Sequence, residues 1–188
     1  MEPKVLGKKL FELRDYTPIP LVILMLFAAK PTALSATIGM LCIGLGELIR
    51  VQSVAFIGSI SRTRKSHTGD NLITGGPFGI VRNPLYVGNF FIVLGVCLYA
   101  GRAWLTILTV ALFAVQYFYI VSYEESVLEE KFGEDYDSYR QRVPAWIPRA
   151  LPRLVDMDWP NSYAQALKSE KRTLSAVLAI IILLLIVG

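Results

Sequence analysis

The sequence predicts an all-α protein: a polytopic membrane helix bundle of about five transmembrane helices with a cytoplasmic cofactor pocket. Three observations carry that expectation. Hydrophobic residues make up 54% of the 188-residue chain and charged residues only 18%, against about 25% charged in a typical soluble domain. The charges are absent from five runs, residues 16–29, 31–46, 84–101, 103–123 and 173–188. The basic residues gather in the segments between those runs.

A bilayer core takes about 20 helical residues to cross. Residues 103–123 meet that length and 84–101 nearly do, whereas the first run is short. The second run continues past Glu47 and Arg50 to about Ile60, which predicts a long, tilted helix. Four spans plus an interfacial segment is the alternative count. The whole chain, 1–188, is expected to form one domain with a motif-bearing core over about 40–150 and a C-terminal helix over about 173–188.

Taken in order, residues 1–15 alternate Val5, Leu6, Leu10, Phe11 and Leu13 with charge, the pattern of a helix lying on a membrane surface. No small-residue cleavage site follows the first apolar run, so no cleavable signal peptide is expected. Lys30-Pro31 closes one helix and opens the next. The 61–83 loop contains Gly75, Gly76, Pro77 and Gly79, a cluster that makes a turn and not a helix interior. Asn83-Pro84 sets a capping side chain before a first-turn proline, which marks a helix start. After the fourth run, Leu128, Phe132, Tyr136, Tyr139 and Val143 recur at helical spacing. They predict a cytoplasmic amphipathic helix, ended by Val143-Pro144. Trp146, Pro148, Pro152 and Trp159-Pro160 then predict an extended, interface-hugging stretch before the last helix.

The net charge of +4 is read through topology. Lys4, Lys8, Lys9 and Arg14 precede the first run, Arg62, Arg64, Lys65 and Arg82 lie in the 61–83 segment, and eight more Lys or Arg lie between Glu124 and Arg172. The tight connections near Lys30 and Arg102 carry one basic residue each. The positive-inside rule therefore puts the amino terminus, 61–83 and 124–172 in the cytoplasm. Because the basic residues simply flank helices, no nucleic-acid surface is expected. Cys42 and Cys97 lie in apolar runs, which argues against a disulfide framework, and no metal site is expected.

Two polar constellations lie at the cytoplasmic ends of the third and fourth helices, where a hairpin brings them to one surface. The first is Gly75-Gly76-Pro77-Phe78-Gly79-Ile80-Val81-Arg82-Asn83-Pro84-Leu85-Tyr86-Val87-Gly88. The second is Glu124-Glu125-Ser126-Val127-Leu128, then Phe132-Gly133, Tyr136, Tyr139 and Val143-Pro144. Each has an ordinary reading: a loop, an anchored helix start, a solvated helix end, an interfacial aromatic belt.

In this order and spacing they resemble the isoprenylcysteine carboxyl methyltransferase and phospholipid methyltransferase superfamily. That pattern runs Gly-Pro-aromatic, Arg-His-Pro-x-Tyr-x-Gly, a hydrophobic hairpin, Glu-Glu-x-x-Leu, Phe-Gly-x-x-Tyr-x-x-Tyr and Val-Pro. The resemblance implies an S-adenosylmethionine-dependent methyltransferase acting on a lipophilic acceptor, an isoprenylcysteine-type carboxylate or a phospholipid amine, in contact with the bilayer.

The residues suit that cofactor. Gly76 and Phe78 belong to a loop whose backbone can approach a ligand. Arg82, beside Asn83 and Pro84 at a helix start, offers a guanidinium fork to a carboxylate. Glu124 and Glu125 offer acceptors to an ammonium and to ribose hydroxyls, and Tyr86 offers an aromatic face to a sulfonium. Catalytic roles are expected for Arg142, or Arg140, orienting an acidic acceptor, for Asn83, and for Arg50. Asn83 stands where the superfamily has histidine; it donates hydrogen bonds but takes no proton at neutral pH. Glu47 and Arg50, three apart on the second helix, are read either as functional intramembrane charges or as an ion pair locking that helix to the bundle. His67, the only histidine, is expected on the surface. An NADPH-dependent sterol-reductase-like enzyme is a second reading, disfavoured because Glu124, Glu125, Glu129 and Glu130 would repel a 2′-phosphate. A non-catalytic membrane scaffold is a third.

Overall fold

The charge-free runs become helices. The computed structural model describes residues 3–57, 72–149, 160 and 162–187, and among them every regular element is α-helical. The helices are α1 (Pro3–Leu13), α2 (Ile19–Ala28), α3 (Ala33–Ile57), α4 (Pro77–Ile80), α5 (Pro84–Tyr99), α6 (Ala103–Phe132), α7 (Glu134–Arg142) and α8 (Tyr163–Val187). Residues 61–71 of the basic 61–83 loop, including His67, and residues 150–159 fall outside the described residues.

Two of these helices, α3 and α6, are long and apolar enough to cross a membrane, and α2 and α5 are shorter apolar helices. Phe27, Leu41, Ile107 and Ile186 point outward, a display of large apolar side chains that a soluble monomer rarely presents. The interior forms where five helices converge: Met25 of α2, Ile43 of α3, Val96, Cys97 and Tyr99 of α5, Leu105 of α6, and Ile181 and Leu184 of α8 pack into one buried cluster.

The principal contact is α3 against α5, and glycine makes it close. A Cβ on Gly39 would lie 2.6 Å from the carbonyl oxygen of Gly95, and one on Gly46 would lie 2.7 Å from that of Gly88. Small residues at the crossing let two backbones approach, the usual means of packing helices in lipid. The pairs repeat seven residues apart on each helix and run in opposite senses, so α3 and α5 are antiparallel. This brings Arg50 of α3 beside the amino-terminal turns of α5.

Both tight turns lie together at the far end. The Lys30 amide donates to the Ala100 carbonyl at 2.9 Å, and Arg102 Nε donates to the Ala28 carbonyl at 2.7 Å. Thr32 and Ser35 cap the start of α3 reciprocally: the Thr32 amide donates to Ser35 Oγ at 2.9 Å and the Ser35 amide to Thr32 Oγ1 at 3.1 Å.

Two expectations change. The amino-terminal helix does not simply lie on a surface: α1 packs lengthwise along the last turns of α6. Gly7 abuts the Tyr119 backbone and Tyr123, and Phe11, 4% exposed, is buried with Tyr86, Ile120 and Val121. Its apolar stripe finds protein before it finds lipid. The amphipathic helix over 128–143 is likewise not continuous. α6 runs straight on from its apolar part through Glu124 to Phe132, and Gly133 at φ +51° breaks the path before α7. The expected apolar face survives the break, because Tyr136, Tyr139 and Val143 cluster with Leu128 and Phe132.

Candidate active site

The site is built where the start of α5, the polar end of α6 and the end of α7 meet. Gly76 lies at φ +55°, and a Cβ there would collide with the Phe56 ring. Only glycine allows the 74–77 turn to press on α3. Pro77 then opens the one-turn α4, which buries Phe78, and the Phe78 carbonyl accepts a hydrogen bond from Tyr139 of α7 at 2.7 Å.

Arg82 follows the extended Val81, its amide donating to the Pro144 carbonyl at 2.8 Å. Its guanidinium forks onto Glu125 of α6: Nη2 donates at 2.8 Å and 3.0 Å to the two carboxylate oxygens, and Nε at 3.0 Å. Nη1 donates to the carbonyls of Val143 at 2.7 Å and Arg140 at 3.2 Å. All three guanidinium nitrogens are thus engaged, and Arg82 and Glu125 grip each other and the end of α7.

Asn83 occupies the N-cap of α5, but its side chain does not cap the helix. Instead Nδ2 donates to Glu125 and to the Ala145 carbonyl, each at 3.3 Å. The nearby carboxylate draws the amide away from the backbone donors of its own helix. Pro84 is buried behind it. One turn on, the Tyr86 hydroxyl donates to Glu124 at 2.6 Å, and both residues are buried. Tyr86 meets Tyr117 edge-on at 4.9 Å, and Tyr117 stacks on Phe113 at 4.0 Å. Gly76, Phe78, Arg82, Asn83, Pro84, Tyr86, Glu124 and Glu125 therefore all line one junction.

The family model for phospholipid methyltransferase matches residues 34–135, more than half of the chain. The chain belongs to the phospholipid methyltransferase family. It is 31% identical over 120 residues to the protein-S-isoprenylcysteine O-methyltransferase of Schizosaccharomyces pombe, covering 61% of this chain and 49% of that protein. The enzyme of the same name from Mus musculus is 33% identical over 132 residues, covering 62% of this chain and 42% of that one. A nickel-cobalt-cadmium resistance protein of Alcaligenes xylosoxydans xylosoxydans is 32% identical over 113 residues, 60% of this chain and 49% of its own length. The chain spans about half the length of the curated relatives it matches. No solved structure matches it. Membership in this family, with two apolar helices of crossing length, supports a membrane location.

The family match takes in α3 to the start of α7 and leaves out α1, α2 and α8, yet α8 reaches the site. Arg50 does not pair with Glu47. Its Nε and Nη2 fork onto Glu170 of α8 at 2.8–3.0 Å, and Nη1 donates to Asn89 of α5. Asn89 in turn donates to the Tyr117 hydroxyl at 3.3 Å. A polar line therefore runs from α8 through Arg50 and Asn89 to the aromatic wall of the site. The sequence reading passed over Asn89 and Glu170. The signal for Asn89 was present, since it is the one amide in the run 84–101.

The two expected arginines of α7 lie further out. Arg142 is exposed and, among the described residues, donates only to the Ser138 carbonyl of its own helix, at 3.2 Å. Arg140 forms an exposed pair with Glu129 at 3.5 Å. Burial pushes the hydroxyl of Tyr136 well above the ordinary tyrosine range, with the Glu125 carboxylate adding to it. Burial does the same for Tyr139, with Tyr136 adding. Both remain neutral phenols.

Proposed function

We propose that this protein transfers a methyl group from S-adenosylmethionine to a lipophilic acceptor, an isoprenylcysteine-type carboxylate or a phospholipid amine. The observation that carries the reading is two adjacent hydrogen-bonded groups, Arg82 and Asn83 on Glu125 and Tyr86 on Glu124, each joining two segments separated by a helical hairpin.

That junction fits the cofactor. Its carboxylates suit an ammonium and ribose hydroxyls, the Tyr86 and Tyr117 faces suit a sulfonium, and the glycine turn at Gly76 admits close backbone approach. When bound, the cofactor supplies an electrophilic methyl group on sulfur. The chain's own contribution is positioning and exclusion of water. Arg82 holds Glu125 in place and ties it to the end of α7, so in this reading it braces the pocket and does not itself take the ligand carboxylate. Asn83 acts by hydrogen bonding alone. Tyr86 fixes the orientation of the Glu124 carboxylate. A carboxylate acceptor needs no general base, whereas an amine must first lose a proton to a carboxylate near its nitrogen.

The five-helix topology belongs to the same reading. We place α1–α2, α3, α5, α6 and α8 across the bilayer, with the junction on the side where the basic segments gather. The test is thermal stabilisation of the purified protein. S-adenosylmethionine should raise its melting temperature and NADPH should not. Stabilisation by NADPH alone, or by neither ligand, would overturn the proposal.

A further inference from the structure

Among the half-buried arginines of the described residues, Arg14 stands apart. Arg50 and Arg82 each fork onto a carboxylate. Arg14, just past the end of α1, forms no ion pair among the described residues, and its buried Nη1 has no hydrogen-bond partner. The guanidinium carbon lies 4.0 Å above the Phe11 ring, and Phe11 is packed against Tyr86 and Ile120. A buried guanidinium hydrogen without an acceptor is costly. Here the group is held by a cation–π contact at the wall of the site.

The Arg14 backbone lies deeper than the carboxylates of the proposed cofactor site, and its side chain turns back over Phe11. α1 runs antiparallel to α6, with Lys4 at Glu130, Gly7 at Tyr123 and Tyr119 and Phe11 beside Ile120. Arg14 therefore lies beyond Glu124, level with the charge-free part of α6. An anion brought to that depth arrives attached to an apolar body. Leading away from it is a row of half-buried rings, Tyr86, Tyr117, Phe113 and Phe90, with successive centroids 4.9, 4.0 and 5.6 Å apart.

We propose that Arg14 is an anion-binding residue for the acceptor: it holds the carboxylate or phosphate next to the apolar tail, while the tail lies along the rings of α5 and α6. The inference deepens the methyl-transfer reading and rests on it for the word acceptor. Neither the family match nor the motifs reach Arg14.

The experiment measures binding to the purified full chain in nanodiscs with two matched pairs of probes. One pair is N-acetyl-S-farnesylcysteine and its methyl ester; the other is lysophosphatidic acid and the corresponding monoacylglycerol. The wild type should prefer the anionic member of at least one pair by about tenfold, the scale of one hydrogen bond to a charged group. The pair that shows it identifies carboxylate or phosphate. Arg14→Gln should abolish the preference, and Arg14→Lys should keep part of it, with S-adenosylmethionine affinity unchanged in both. If Arg14→Gln fails to fold, the comparison is read in Arg14→Lys, where a point charge replaces the fork and the preference should fall severalfold. Lack of preference in both wild-type pairs, or an undiminished preference in the variants, overturns the assignment. So does a parallel loss of S-adenosylmethionine affinity, which would make Arg14 a cofactor contact. Because binding is read without turnover, failure of the wild type to bind S-adenosylmethionine would count against the methyltransferase reading separately.

Discussion

At the scale of single residues, the site depends on buried carboxylates and the donors that face them. Tyr86→Phe removes the donor to Glu124, 5% exposed, and should cost about 1–3 kcal/mol of stability. Chemical denaturation measures this, and in the proposed reading calorimetry should show weaker S-adenosylmethionine binding as well. Asn83 separates hydrogen bonding from proton transfer. Asn83→His, which keeps a donor, should leave methyl transfer within severalfold of wild type, whereas Asn83→Ala should lower it more; equal loss in both would show that the amide geometry itself matters. The buried tyrosines of α7 set an alkaline limit. Their folded-state values are raised, so the stability they contribute is fully present below the unfolded tyrosine value of about 10 and is lost as pH climbs above it. Melting temperatures should be insensitive to these groups from pH 7 to 9 and fall above about 10. The sequence marked Arg82 and Glu125 as site residues by their chemistry. That they would grip each other was not legible, because a guanidinium that can fork onto a ligand can fork equally well onto a neighbouring side chain.

At the scale of elements, the closeness of α3 and α5 controls where the site residues stand. A methyl group at Gly46 would meet backbone that cannot swing aside. Gly46→Ala should therefore destabilise by about 1–3 kcal/mol, whereas Gly44→Ala, where a Cβ meets nothing within 4 Å, should be neutral or stabilising by up to about 1 kcal/mol. Melting curves of the two variants make the comparison, and equal behaviour would refute the close crossing. The seven-residue spacing of Gly39 with Gly46 and of Gly88 with Gly95 was available in the sequence as a packing signal. Helix starts and tight turns were also legible, since proline and glycine act locally. The break at Gly133 was harder to see, because Leu128, Phe132, Tyr136 and Tyr139 keep helical spacing through it. The burial of α1 was not legible either, because an amphipathic stripe does not say whether protein or lipid covers it.

At the scale of the whole molecule, the charge-free runs told most of the architecture, and long-range pairing told the least. The spacing of Glu47 and Arg50 pointed to each other, but the partner of Arg50 is Glu170, on a helix 120 positions away. That ion pair joins α8 to the bundle with side chains 14% and 1% exposed. Glu170→Ala leaves Arg50 without its carboxylate and should cost about 3–5 kcal/mol, while replacing both with apolar residues of similar volume should recover much of it. A double-mutant cycle on thermal stability measures the coupling. The proposed five-helix topology can be checked by labelling single cysteines placed after Lys30 and near Arg142, which should be reached from opposite sides of a sealed vesicle.

The bond from the Lys30 amide to Ala100 and that from Arg102 to Ala28 also shape how the molecule can move. They tie the two tight turns to each other at one end of the bundle, like the rivet of a pair of tongs. Breathing of the bundle is therefore levered toward the other end, where Arg82, Glu125 and the end of α7 form the clasp. Amide exchange should be slowest around Lys30 and quicken along α5 and α6 toward the clasp.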